Sequence, residues 1–128
     1  MNINCNGKLI DLSTPKVMGI LNVTPNSFYD GGKHKEINSI IHQVDKMLSE
    51  GADFIDIGAY SSKPSAEFVS EEEEIKRLVH IIKELVETFP TIILSVDTFR
   101  ANVARVAVDN GVAIVNDISA GLLDKNML

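Results

Sequence analysis

Short apolar runs alternate along this chain with longer stretches of helical period, and that alternation narrows the fold more than any other feature. The runs are 17–21 (VMGIL), 54–57 (FIDI), 92–96 (IILSV) and 113–115 (AIV). Strands with almost no polar face are buried on both sides, the situation of a parallel sheet covered by helices. Between them, residues 36–51 place Ile37, Ile40, Ile41, Val44, Met47 and Leu48 three and four apart, which makes one helical stripe. Gly51 stands where that helix ends in the left-handed conformation. Ser70 and Glu73 have the spacing of a capping box. They open a helix whose inner face reads Ile75, Leu78, Val79, Ile82, Leu85 and Val86. A third helix covers 99–110, with Gly111 as its stop, and a fourth has room to begin before Leu128. At the N-terminus, Asn6-Gly7 between Ile3 and Leu9-Ile10 predicts a hairpin.

Four strand–helix units are about half of an eight-unit barrel, which needs ~250 residues. A small open doubly wound sheet has the same periodicity, so the pattern alone leaves both architectures open. The length of 128 residues suits one domain spanning 1–128. An apolar content of 45% is enough to bury a core. A net charge of −6 argues against non-specific nucleic-acid binding, where Lys and Arg must replace counterions. No apolar run approaches the ~18 residues of a membrane span, and the first residues lack the basic-then-apolar order of a signal peptide. The single cysteine, Cys5, cannot form an internal disulfide and fits a reducing cytoplasm.

Each predicted strand leads into small polar groups: Asn22, then 58–64 (GAYSSKP), then Asp97, then Asn116-Asp117. The carboxyl ends of parallel strands are where ligands bind in barrels and open sheets alike. Asn, Asp and Ser also cap helices routinely. Asn22 stands too far before its helix to cap it, however, and loops 22–35 and 58–69 exceed the ~2–6 residues usual between a strand and its helix. A ligand site at this end is the expectation. Gly31-Gly32 is no dinucleotide fingerprint, and His34, His42 and His80 lack metal-ligand spacing. Glu71 to Glu74 read as a solvated first helical turn, where the dipole favours acids. Asp56, an acid inside an apolar strand, must be hydrogen-bonded or face the barrel mouth.

These strand ends carry a resemblance. Residues 19–32 (GILNVTPNSFYDGG) resemble the first signature of the dihydropteroate synthase family, and 51–58 (GADFIDIG) with 61–64 (SSKP) its second. Residues 95–98 (SVDT) and 114–119 (IVNDIS) are similar to its third and fourth strand ends, in the family's order and spacing. The resemblance implies a (β/α)8 barrel of the TIM type, of which the chain holds about the first four units behind its N-terminal hairpin. It implies the joining of 4-aminobenzoate to 6-hydroxymethyl-7,8-dihydropterin diphosphate in folate synthesis. Asn22 would hold Mg²⁺ on the departing diphosphate, and Ser62 and Lys63 would bind that diphosphate. Asp97 and Asn116 would bind the pterin, while Phe28, Ser62 and Pro64 would shape the aminobenzoate pocket. Ser62 stands for the family's usual Thr, Lys63 for its Arg, and Tyr60 for its Glu. Lys63 keeps the charge but loses the planar bidentate fork.

The resemblance also implies a cytoplasmic enzyme, a homodimer at full length, acting on small molecules rather than nucleic acid or membrane. The family's second half supplies a further pterin-binding acid, a basic residue and an Arg-x-His pair. Without these, the chain is expected to be a truncated piece that is inactive alone and has exposed strand edges at 17–21 and 113–115. Two other readings share part of the pattern. A methyltetrahydrofolate methyltransferase would share the third and fourth strand ends but has no use for NVTP and SKP. A non-catalytic half barrel would bind pterin or pair with a second copy.

Overall fold

The computed structural model describes the backbone of residues 1–23, 33–59 and 70–128, and their side chains except those of 33–35. Strands β1 (Asn2–Cys5) and β2 (Lys8–Asp11) form the expected antiparallel hairpin. Its turn residues Asn6 and Gly7 have φ of 52° and 84°, the paired left-handed conformation of a type I′ turn. There follow β3 (Met18–Asn22), α1 (Lys33–Ser49), β4 (Phe54–Gly58), α2 (Glu71–Thr88), β5 (Leu94–Asp97), α3 (Ala101–Asp109) and β6 (Ile114–Asn116). The chain after β6 runs in turns, so no fourth helix forms before Leu128.

The second sheet has the order β3-β4-β5-β6, and every pair is parallel. Each strand lies beside its predecessor and always on the same side. A doubly wound sheet reverses direction at a switch point, and no reversal occurs among the described strands. The sequence left barrel and open sheet undecided; this winding is that of a β/α barrel. β3 and β6 stand at the two edges, as the pattern implied.

Alternation divides the sheet into two faces. Leu21, Ile55, Ile57, Leu94 and Val96 point to the helical layer, where they pack with Val44, Leu78, Ile82, Leu85 and Val103 in the main core. α1 lies so close to β3 that a Cβ on Gly19 would stand 2.7 Å from Met47 Sδ. The hairpin closes the amino end of the sheet: Cys5 packs with Phe54 and Ile93, and Asn6 Nδ2 donates to Gly111 O at 2.9 Å. Cys5 is thus a buried packing residue.

One reading fails on α2. Its buried residues are Glu74, Leu78, Ile81, Ile82 and Leu85. Glu74 stands one turn before Leu78 on the same stripe, so the packing that buries Leu78 buries the acid too. Only the rest of the four-glutamate run is the solvated start that was expected. The cap itself forms, with Glu73 N donating to Ser70 Oγ at 3.2 Å.

A candidate ligand site at the carboxyl ends of the strands

On the face turned away from the helices, the register aligns two rows. Ile20 pairs with Asp56, Asp56 with Ser95, and Ser95 with Ile114. Two residues further on, Asn22 pairs with Gly58, and Asp97 with Asn116. The last residue of each of the four strands therefore lies at one end of the sheet and on one face.

Gly58 is the floor between its neighbours. A Cβ there would lie 3.5 Å from Asp97 Oδ2 and 3.8 Å from Asn22 Oδ1. Both oxygens lean over the glycine, and its missing side chain leaves the space they share. From the far strand, Asn116 Nδ2 donates to Asp56 Oδ2 at 3.1 Å. Asn22 and Asn116 are exposed, Asp97 is half-buried and Asp56 is buried. Ile20 adds an exposed apolar wall one row below. The result is a shallow surface with acceptors at its rim and an acid beneath, suited to a flat ring with N–H donors along one edge.

A second polar group supports Asp97 from behind. Thr98, the next residue, is buried, and its backbone N–H donates to Asn116 O at 3.2 Å. Its Oγ1 accepts from Arg100 N at 3.2 Å, and Arg100 Nη1 donates to Glu74 Oε1 at 3.2 Å. Burial pushes the Glu74 carboxyl above the ordinary glutamate range, although Thr98 and Arg100 oppose the rise. The negative charge of Asp97 adds to it. Sequence reasoning missed this pair; the signal was Glu74's place in the helical period, four residues before Leu78.

Of the pair Asn116-Asp117, only the first faces the cluster. Asp117 accepts from Ser119 N, Ser119 Oγ and Gly121 N, so it shapes its own turn. Burial pushes its carboxyl up, but those three donors outweigh burial and hold it below the usual range. The structure thus brings together Asn22, Asp97 and Asn116, as the strand ends implied. Phe28, Tyr60, Ser62, Lys63 and Pro64 lie outside the described residues. His42 and His80 sit exposed on α1 and α2.

Among the described residues, no group of three or more His, Cys, Asp or Glu could hold a metal ion. Mg²⁺ does not require one, because it commonly takes one or two protein oxygens and completes its shell with water and substrate phosphate. The exposed side-chain oxygen of Asn22, at the edge of the space above Gly58, fits that mode. No helix of the described residues is long and apolar enough to cross a membrane.

A singly wound parallel sheet with its polar row at the strands' carboxyl ends defines a ligand-binding domain of the β/α-barrel class. Residues 18–128 match the pterin binding enzymes, and the chain belongs to that family. It is 51% identical over 124 residues to the mitochondrial folate synthesis bifunctional protein of Arabidopsis thaliana, covering 94% of this chain and 22% of that protein. It is 41% identical over 122 residues to the dihydropteroate synthase of Streptococcus pyogenes, covering 95% of this chain and 46% of that enzyme. Among solved structures, Xanthomonas albilineans dihydropteroate synthase with 4-aminobenzoic acid superposes with a TM-score of 0.84 at 40% identity, over 98% of this chain and 46% of that one. A Yersinia pestis dihydropteroate synthase in complex with a sulfonamide drug gives 0.82 at 43% identity, over 95% and 44%. The chain spans less than half the length of the relatives it matches.

Proposed function

We propose that residues 1–128 form the N-terminal half of a dihydropteroate synthase barrel, acting on 6-hydroxymethyl-7,8-dihydropterin diphosphate and 4-aminobenzoate. The observation that carries this reading is the placement of Asn22 and Asp97 on either side of the side-chain-free Gly58, with Asn116 beside Asp97 on the next strand, in a chain of the pterin-binding family. Likeness to dihydropteroate synthases at about 40% identity supports the particular reaction.

In the reaction, the aminobenzoate nitrogen forms a bond to the pterin's exocyclic methylene carbon. The carbon–oxygen bond to diphosphate breaks, its electron pair leaves with the diphosphate, and the amine gives up a proton. Positive charge spreads into the ring as the leaving group departs, so stabilising the diphosphate and positioning a weak nucleophile are the main tasks. Asp97 and Asn116 hold the donor-bearing edge of the pterin, over the floor that Gly58 keeps open. Asn22 is the residue that would hold Mg²⁺, which would supply Lewis-acid stabilisation of the leaving group's charge. By resemblance, Ser62 and Lys63 bind the diphosphate, and Phe28, Ser62 and Pro64 line the aminobenzoate pocket. The remaining contacts come from the second half of the barrel. The single cysteine suits a cytoplasmic enzyme, and the resemblance a homodimer.

The test is diphosphate release by the full-length enzyme containing residues 1–128, with dihydropteroate identified by mass. Release that requires both substrates and Mg²⁺ supports the reading. Release without 4-aminobenzoate, or none with both substrates present, overturns it.

A further inference from the structure

Asp56 lies in the middle of β4, in a segment where every residue from Phe54 to Gly58 is buried. It retains 2% of its exposure. A buried acid is costly unless its oxygens are satisfied, yet only Oδ2 is, by Asn116 Nδ2 at 3.1 Å. Oδ1 is buried with no hydrogen-bond partner among the described residues. The same holds for the hydroxyl of Ser95, the register partner of Asp56 on β5. As a device for stability this layer is poor, since apolar side chains at both positions would remove the two unpaired buried oxygens. The group that Asp56 does engage is Asn116.

An asparagine amide has a donor end and an acceptor end on one plane, and a free one can present either. A carboxylate oxygen accepts, so contact with Asp56 turns Nδ2 inward and fixes the amide plane. We propose that Asp56 is a positioning residue for the dihydropterin site, holding Asn116 so that its Oδ1 stands as an acceptor beside its register partner Asp97. This inference rests on the dihydropteroate synthase reading above. It gives the ligand a definite complement, namely adjacent N–H donors on one ring edge, matched by Asp97 and Asn116 together.

The experiment uses full-length enzyme containing residues 1–128 in four forms: unaltered, Asp56→Ala, Asn116→Ala and the double variant. Calorimetry with dihydropterin diphosphate, without 4-aminobenzoate so that nothing turns over, gives the dissociation constant of each, and a thermal melt reports folding. Asp56→Ala is expected to weaken binding about tenfold to a hundredfold, the range lost with one partner of a charge-assisted hydrogen bond. In the Asn116→Ala background the same change is expected to cost less than about twofold, because Asp56 then has nothing to position. Equal losses in both backgrounds, or a lower melting temperature with unaltered binding, overturn the inference. Should Asp56→Ala fail to fold, the near-isosteric Asp56→Asn in both backgrounds decides by the same comparison, with a smaller loss expected. An unaltered enzyme that neither binds dihydropterin diphosphate nor releases diphosphate overturns the functional reading and this inference with it. Turnover by the unaltered enzyme with undiminished affinity in Asp56→Ala overturns this inference alone.

Discussion

Arg100 Nη1 donates to Glu74 Oε1 at 3.2 Å, joining the residue that precedes α3 to the first turn of α2, with the Glu74 side chain fully buried and that of Arg100 14% exposed. Thr98 lies between this pair and Asp97, so the ion pair holds the backbone next to Asp97. Removing one partner leaves a buried charge uncompensated, which costs about 3–5 kcal/mol. Arg100→Met is therefore expected to lower the unfolding free energy of the full-length enzyme by that amount, as measured by denaturant titration. A loss below ~1 kcal/mol would mean that the pair is solvated.

The same acid makes a pH prediction. Burial raises the Glu74 pKa in the folded chain above its unfolded value. Between those two values the folded state binds more protons than the unfolded state, so this group's contribution falls as pH rises. It is fully present below the unfolded pKa and lost as pH passes the folded one. Glu74→Gln should remove that component, so the stability difference between Glu74→Gln and the parent should move in favour of the variant as pH rises through this window. Parallel stability curves would contradict the assignment.

Gly58 owes its place to Asn22 and Asp97. A methyl at this point is in ordinary contact with both, but the branched side chain of Gly58→Val would fill the space between their oxygens. Dihydropterin affinity is expected to fall about tenfold or more, with a melting temperature changed by only a few degrees, since the lost energy is that of ligand contacts. Unchanged affinity would move the ligand off this floor.

Ser70 accepts from Glu73 N at 3.2 Å and opens the helix that carries Glu74. Ser70→Ala should cost about 1 kcal/mol, the usual loss for an N-cap, while Ser70→Asp should restore it. A denaturant series on the three proteins checks the order.

Local patterns carried most of the fold. Asn6-Gly7 gave the hairpin its turn, and the stripe from Ile37 to Leu48 gave α1 its buried side. Glycine punctuation was right at Gly51 and Gly111, whose φ values are 111° and 117°. What was not local was not legible. The α3 boundary differs because Asp124, far along the chain, accepts from Ala101 N at 2.7 Å and caps the helix from outside it. The strand ends Asn22, Asp97 and Asn116 were readable as neighbours because parallel strands deliver them to one edge. Asp56 stood out as an acid in an apolar run, but its partner lies two strands away, at a distance in sequence that no spacing rule covers.

The central claim is that Asp97, beside Asn22 and Asn116 at the carboxyl ends of the strands, holds the pterin. Its most direct test is calorimetric titration of dihydropterin diphosphate into full-length enzyme containing residues 1–128, compared with the Asp97→Ala variant at matched folding. The account predicts a loss of a few kcal/mol in binding free energy, the cost of removing one partner of a buried charged hydrogen bond. A dissociation constant unchanged by Asp97→Ala would contradict it.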